Sequence, residues 1–285
     1  MNGILMDSFY VPKWVSSYSR KNTHIDIIHE CFHLRIYKNN ISKSFIENLK
    51  TVLSEIRRIL RFTNERINVC LLLSGKKKRI KIGEIFGPDN INSGLSMSTQ
   101  DPKDLHIIIY RMEDIFKVLI HEIIHYVGLD FGKTDVSPID TMIKSKYKSM
   151  ANTSLYINEA YTEALALYYY CLIMKKDFTL EQEYSILQTK RFLLVNGCDT
   201  IQAFKSKKNY SEISHPFAYI LLKSALVNCK YVMKNITKFP GDSKLIYYAF
   251  QKALSNMEWI DLVDNIHIEM EGNSYSMRLT TLHDV

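Results

Sequence analysis

His121-Glu122-Ile123-Ile124-His125 sets two imidazoles four residues apart with a glutamate beside the first. In a helix, positions four apart share a face, so both rings can reach one cation. Glu122 then stands one step round the helix, placed to act on a water held by that cation. Two neutral nitrogen ligands, an adjacent carboxylate base and an open coordination position are what metal-assisted hydrolysis needs, and the donor set suits Zn2+. The flanking residues predict the helix. Val118-Leu119-Ile120 precede the motif, Ile123-Ile124 lie inside it and Tyr126-Val127 follow. The run covers Met112–Val127, with an acidic first turn at Glu113 and Asp114 and a stop at Gly128.

The same five-residue pattern recurs at His29-Glu30-Cys31-Phe32-His33. There Ile28, Phe32, Leu34 and Ile36 alternate with His29, His33 and Arg35, a period of two that predicts a strand. His29 and His33 are therefore expected on a strand or at the surface, and the metal is assigned to His121 and His125.

A third ligand is needed. The second long helical run, Ser154–Lys175, contains Asn158-Glu159-Ala160-Tyr161-Thr162-Glu163. Glu159 and Glu163 share a face, so one can bind the metal while the other receives the second N–H of a ligand histidine. The two segments together resemble the gluzincins, the thermolysin-like zinc peptidases. In that family the first motif is followed by Asn-Glu-x-x-(Ser/Thr)-(Asp/Glu) on the next active-site helix, and Asn158, Glu159, Thr162 and Glu163 stand at those positions.

The resemblance implies a zincin-like, two-lobed α+β fold. Residues 1–150 would form an α/β lobe with a small mixed sheet and the metal helix, and residues 151–285 a mainly helical lobe. It implies one Zn2+ per chain on His121, His125 and Glu159, with Glu122 as the catalytic base and Glu163 and Asn158 behind the ligands. Further on, Ser214-His215-Pro216 reads as a helix start. His215 and Tyr219, four apart, are the candidate oxyanion donors, a role that gluzincins commonly give to a His or Tyr of a later helix. One departure stands out. The 33 residues between His125 and Glu159 exceed the spacing of the compact members. This insert carries turn signals and the basic residues Lys144, Lys146 and Lys148, and is expected over the cleft.

A metzincin pattern, His-Glu-x-x-His-x-x-Gly-x-x-His, is the competing zinc architecture. Gly128 fits its glycine, but Phe131 occupies the third-histidine position and Asp130 is out of register by one. Gly128 is accordingly read as a plain helix C-terminus.

These residues need elements to hold them. An amphipathic helix is predicted over Lys43–Phe62, with strands over Ile67–Leu73 and Arg79–Phe86 joined by a hairpin turn at Ser74–Lys78. Gly94–Ser98 is a candidate edge strand for gripping an extended peptide, and Leu105–Tyr110 a strand just before the metal helix. Helices follow over Leu180–Leu194, Pro216–Asn235, Ser243–Ser255 and Glu258–Ile266.

With 285 residues, 46% hydrophobic and 24% charged, the chain can bury a sizeable core, which excludes a disordered class. Five cysteines without a Cys-x-x-Cys pair indicate neither a disulfide framework nor a zinc knuckle. No apolar run reaches the ~18 residues of a membrane span, and the first residues do not read as a signal peptide. An intracellular, cytoplasmic protein is expected. The net charge of +7 gathers at residues 76–79, 144–148 and 205–208. Solvated loops are the plain explanation; steering toward an acidic protein substrate, or toward nucleic acid, are the others. No zinc finger or aromatic RNA-binding signature supports nucleic acid.

The expected function is zinc-dependent hydrolysis of peptide bonds in a peptide or protein substrate. The alternatives are a catalytically inactive structural or binding protein of zincin fold, and a basic nucleic-acid-associated protein whose motif is accidental. A free carboxylate beside the metal favours the enzyme.

Overall fold

A computed structural model describes residues 10–63, 66–97, 99, 101, 103–132, 134–208, 210–239, 242–268 and 274–281. Helix α1 (Trp14–Lys21) leads into strands β1 (His24–His29) and β2 (Phe32–Tyr37), helix α2 (Lys43–Leu60) and β3 (Ile67–Leu72). The two-residue β4 (Arg79–Ile80), the single-turn α3 (Pro88–Ile91), β5 (Gly94–Ser96) and β6 (Ile107–Ile109) come next. The motif helix α4 (Ile115–Tyr126) is followed by α5 (Ser137–Lys146), α6 (Ile157–Met174), α7 (Phe178–Val195) and α8 (Ile201–Ser206). A π-helical turn (Phe217–Leu222) runs into α9 (Lys223–Val227), then α10 (Lys230–Asn235), α11 (Ser243–Leu254), α12 (Met257–Asn265) and β7 (Tyr275–Ser276). The class is mixed α+β, as the sequence predicts.

Five strands form a mixed sheet in the order β1-β2-β3-β6-β5. β2, β3 and β6 run parallel, while β1 and β5 flank them antiparallel. The parallel β2–β3 pair needs a crossover, and the amphipathic α2 supplies it. On the inner face Leu34, Ile36, Val69, Leu71, Ile107 and Ile109 join one core with Leu49, Leu53 and Ile56 of α2 and Leu119, Ile120 and Ile123 of α4. The outer face carries Tyr37, Cys70, Leu72, Ile108 and Tyr110, packed with Val15 of α1. β5 is an edge strand, as expected from Gly94–Ser98; Ser98 itself lies outside the described residues.

The second His-Glu-x-x-His copy is a β-hairpin, in line with its alternation. Its turn passes through Glu30 in a left-handed conformation, at φ 52°. His29 Nε2 lies 2.8 Å from Ser54 Oγ, and Glu30 accepts from Ser54 at 2.5 Å and from Arg57 at 3.3 Å. These contacts pin the hairpin to α2.

Three expectations fail in the stretch before the motif helix. The strand read over Arg79–Phe86 ends at Ile80, and no hairpin joins it to β3, because β4 pairs with β7 from the far end of the chain. The cause is Lys78, which is fully buried. Its N–H donates to Glu113 Oε2 at 2.7 Å and its Nζ to Asp114 Oδ2 at 2.7 Å, drawing the chain inward where a solvated turn was expected. The basic run 76–79 is thus no continuous exposed patch. Glu113 and Asp114 precede α4 instead of forming its first turn, and Asp114 accepts from Lys78, Arg278 and the Leu279 N–H.

α6 is apolar nearly all round, the mark of a helix buried on several sides. It packs against α4, α7 and α9 and holds Ala160, Tyr161, Ala164, Leu165 and Ala166 in the core. The insert is not a bare loop. Its helix α5 buries Ile139, Met142 and Ile143 and packs on α11. The single helix predicted over Pro216–Asn235 breaks at Asn228, whose side-chain amide turns back to the Ser224 carbonyl at 2.9 Å.

Candidate metal centre

α4 presents His121 and His125 from successive turns, and the first turn of α6 presents Glu159 across from them. His121 Nε2 and His125 Nε2 are 3.1 Å apart, and each lies 3.3 Å from Glu159 Oε2. The outer ring nitrogens face carboxylates. His125 Nδ1 is 3.0 Å from Asp130 Oδ2. His121 Nδ1 is 2.8 Å from Glu163 Oε2, a contact just outside hydrogen-bond alignment.

With a cation between the Nε2 atoms and Glu159, the carboxylates at Nδ1 would accept the proton of each neutral ring there and leave a lone pair on each Nε2. Three electron-rich atoms then point at one spot. A tetrahedron with bonds of about 2.0 Å has edges of about 3.3 Å, the spacing of this triangle, so the donors fit a small tetrahedral cation with one position open.

The electrostatics couple the three donors. Burial pushes the Glu159 carboxyl up, but His125 and His121 more than offset it and hold it well below its usual range. Burial pushes His121 down, and the carboxylates of Glu159 and Glu163 turn the balance upward. His125 ends well above its usual value, burial being outweighed by Glu159 and Asp130.

Glu122 is buried at 7% exposure and takes no part in the triangle. Burial raises its carboxyl against the pull of His121 and His125. Across from it lies Gly94 of β5. A Cβ there would meet Glu122 Oε1 at 2.8 Å and Val118 Cγ1 at 2.9 Å, so only glycine lets the edge strand lie this close to α4.

The two candidate oxyanion donors have different neighbours. The Tyr219 ring sits 6.2 Å from the His121 ring, and its hydroxyl is driven well up by burial, then by Glu159, Glu122 and Glu163. Tyr219 belongs to the π-helical turn, a distortion frequent at functional sites. His215 is stacked on Tyr156 at 3.4 Å, with its ring 5.4 Å from Tyr10 and 6.3 Å from Tyr219. Asn158 sits beside Glu159, yet its Oδ1 is buried with no hydrogen-bond partner among the described residues, and no hydrogen bond ties it to a ligand.

Sequence reasoning missed two side chains behind the ligands. Lys117, one turn before His121 and 1% exposed, donates to Glu163. Its signal was a lone lysine inside an otherwise apolar helix, four before the first ligand. Asp130 stands five residues after His125, outside the register of either ligand motif.

No family model matches the sequence, and no solved structure matches it. A protein of Acanthamoeba polyphaga mimivirus, named "Uncharacterized protein R210", is 27% identical over 186 residues. The match takes in 58% of this chain and 45% of that protein, so the chain spans less than half the length of this relative. Among the described residues no helix is long and apolar enough to cross a membrane.

Proposed function

We propose that the chain is a zinc-dependent metallopeptidase of gluzincin type, with a zincin-like cleft between a sheet-bearing and a helical lobe. The observation that carries this reading is the triangle of His121, His125 and Glu159 donors, with both outer ring nitrogens tied to carboxylates and Glu122 left out as a free buried base.

Bound zinc supplies a Lewis acid that acidifies water and polarises a carbonyl. The chain does the rest. Glu122, whose carboxyl burial has raised toward the working range, takes the proton from the attacking water and hands it to the leaving amine. The Tyr219 hydroxyl, kept protonated by its surroundings, donates to the developing oxyanion. The β5 edge aligns an extended peptide by main-chain hydrogen bonds.

Elemental analysis tests the site. Wild type is expected to carry about one zinc per chain, and His125→Ala and Glu159→Ala to lose it, since three protein ligands with one open position define such a centre. Zinc-free wild type, or undiminished zinc in Glu159→Ala, would refute it. Gly94→Ala separates positioning from ligation. It should cut turnover by about tenfold to a hundredfold with zinc content intact, because the new methyl displaces Glu122 and leaves the ligands in place. Activity and metal falling together would contradict that account.

A further inference from the structure

Beside the metal centre lies a cavity of ≈30 Å³, lined by His121 and Glu122 themselves and walled by Gly94, Lys117, Val118, Lys78 and Leu279. Its far wall comes from the other end of the sequence. Leu279 is 6% exposed and held by its own N–H to Asp114 Oδ2 at 3.0 Å, while Arg278 binds Asp114 Oδ1 at 3.1 Å and β7 pairs with β4. The returning C-terminal segment is thus stapled to the N-terminus of the motif helix.

The two lysines of the wall offer it no free charge, since Lys78 is paired with Asp114 and Lys117 with Glu163. It does offer unmet polarity. Asn92 and Ser93 also line it, and Asn92 Oδ1 and Ser93 Oγ are buried with no hydrogen-bond partner among the described residues. Native interiors seldom leave such groups unmatched, so a ligand that brings a small hydrogen-bonding group suits this wall.

We propose that the cavity receives a side chain flanking the scissile bond and restricts that position to glycine, alanine or serine, with Leu279 setting its depth. This rests on the peptidase reading above. A side chain touching the Glu122 wall must belong to a residue next to the bond that Glu122 serves. The volume is about a tenth of the ~300 Å³ at which small-molecule pockets begin. A hydroxymethyl enters; a leucine or a ring does not, and the walls cannot retreat. A single Cβ on Gly94 would already strike Glu122 and Val118, and forcing extra carbons into a packed site displaces its neighbours.

The test uses the full chain carrying Glu122→Gln, zinc-loaded and immobilised, and a random peptide library whose retained members are sequenced by mass spectrometry. Glycine, alanine and serine should be enriched about tenfold over leucine and phenylalanine at one position. Adding Leu279→Ala should admit valine and leucine there. Adding Leu279→Phe, which fills the cavity and removes no packing, should narrow the position to glycine. No enriched position, a bulky preference at every position, or the same selection in both Leu279 variants would overturn the proposal. Cleavage by the wild-type chain is scored separately. A library bound with this selection and left uncut would count against the peptidase reading and leave the selection standing.

Discussion

Glu122→Gln is expected to lower peptide hydrolysis by about 1,000-fold while zinc stoichiometry stays at the wild-type value. A positioned general base contributes roughly 10²–10⁴-fold, and an amide of the same shape cannot take a proton from water. The metal should stay because Glu122 is no part of the donor triangle, which His121, His125 and Glu159 close at 3.1–3.3 Å without it. The fold should stay because glutamine fills the same space against Gly94 and Val118. The loss should fall on kcat, with KM little changed, since the proton transfer is realised in the transition state and not in substrate binding. His125→Ala provides the contrast, losing metal and turnover together. A Glu122→Gln protein as active as wild type would end this mechanism even with zinc in place.

The residues of this centre were legible because both signals are local. Spacing of four within apolar helical runs fixed which faces of α4 and α6 carry His121, His125, Glu159 and Glu163. The alternation at Ile28–Ile36 separated the decoy motif, although its turn at Glu30 carries no glycine or proline to announce it. What escaped is long-range. Lys78 reads as one more solvated cation of a basic run, and only the fold shows that Asp114 takes it inside. The partner of β4 is almost two hundred residues away, at β7, and no local pattern could name it. Spacing treats His215 and Tyr219 alike. Only the fold shows the Tyr219 ring 6.2 Å from the His121 ring and His215 stacked on Tyr156.

Lys117→Met is expected to destabilise the metal-free chain by about 3–5 kcal/mol, the usual cost of breaking a buried ion pair from one side. For a chain of this size that corresponds to a fall in Tm on the order of 10 °C. Lys117 and Glu163 have side-chain exposures of 1% and 3%, so neither charge can turn to solvent. Burial pushes the Glu163 carboxyl up, and Lys117, ahead of His121 and Lys223, reverses that and holds it far below its ordinary range. With methionine at 117, the methylene packing is kept and Glu163 is left with the edge of His121 and the weaker pull of Lys223. The double variant Lys117→Met/Glu163→Gln should then be more stable than Lys117→Met alone, because the stranded charge is gone while glutamine still accepts from His121 Nδ1. Thermal melts of the two proteins, each stripped of metal, decide the matter. If the double variant melts no higher than the single one, the cost lies in packing, and the charge of Glu163 is not what Lys117 holds in place behind the first ligand.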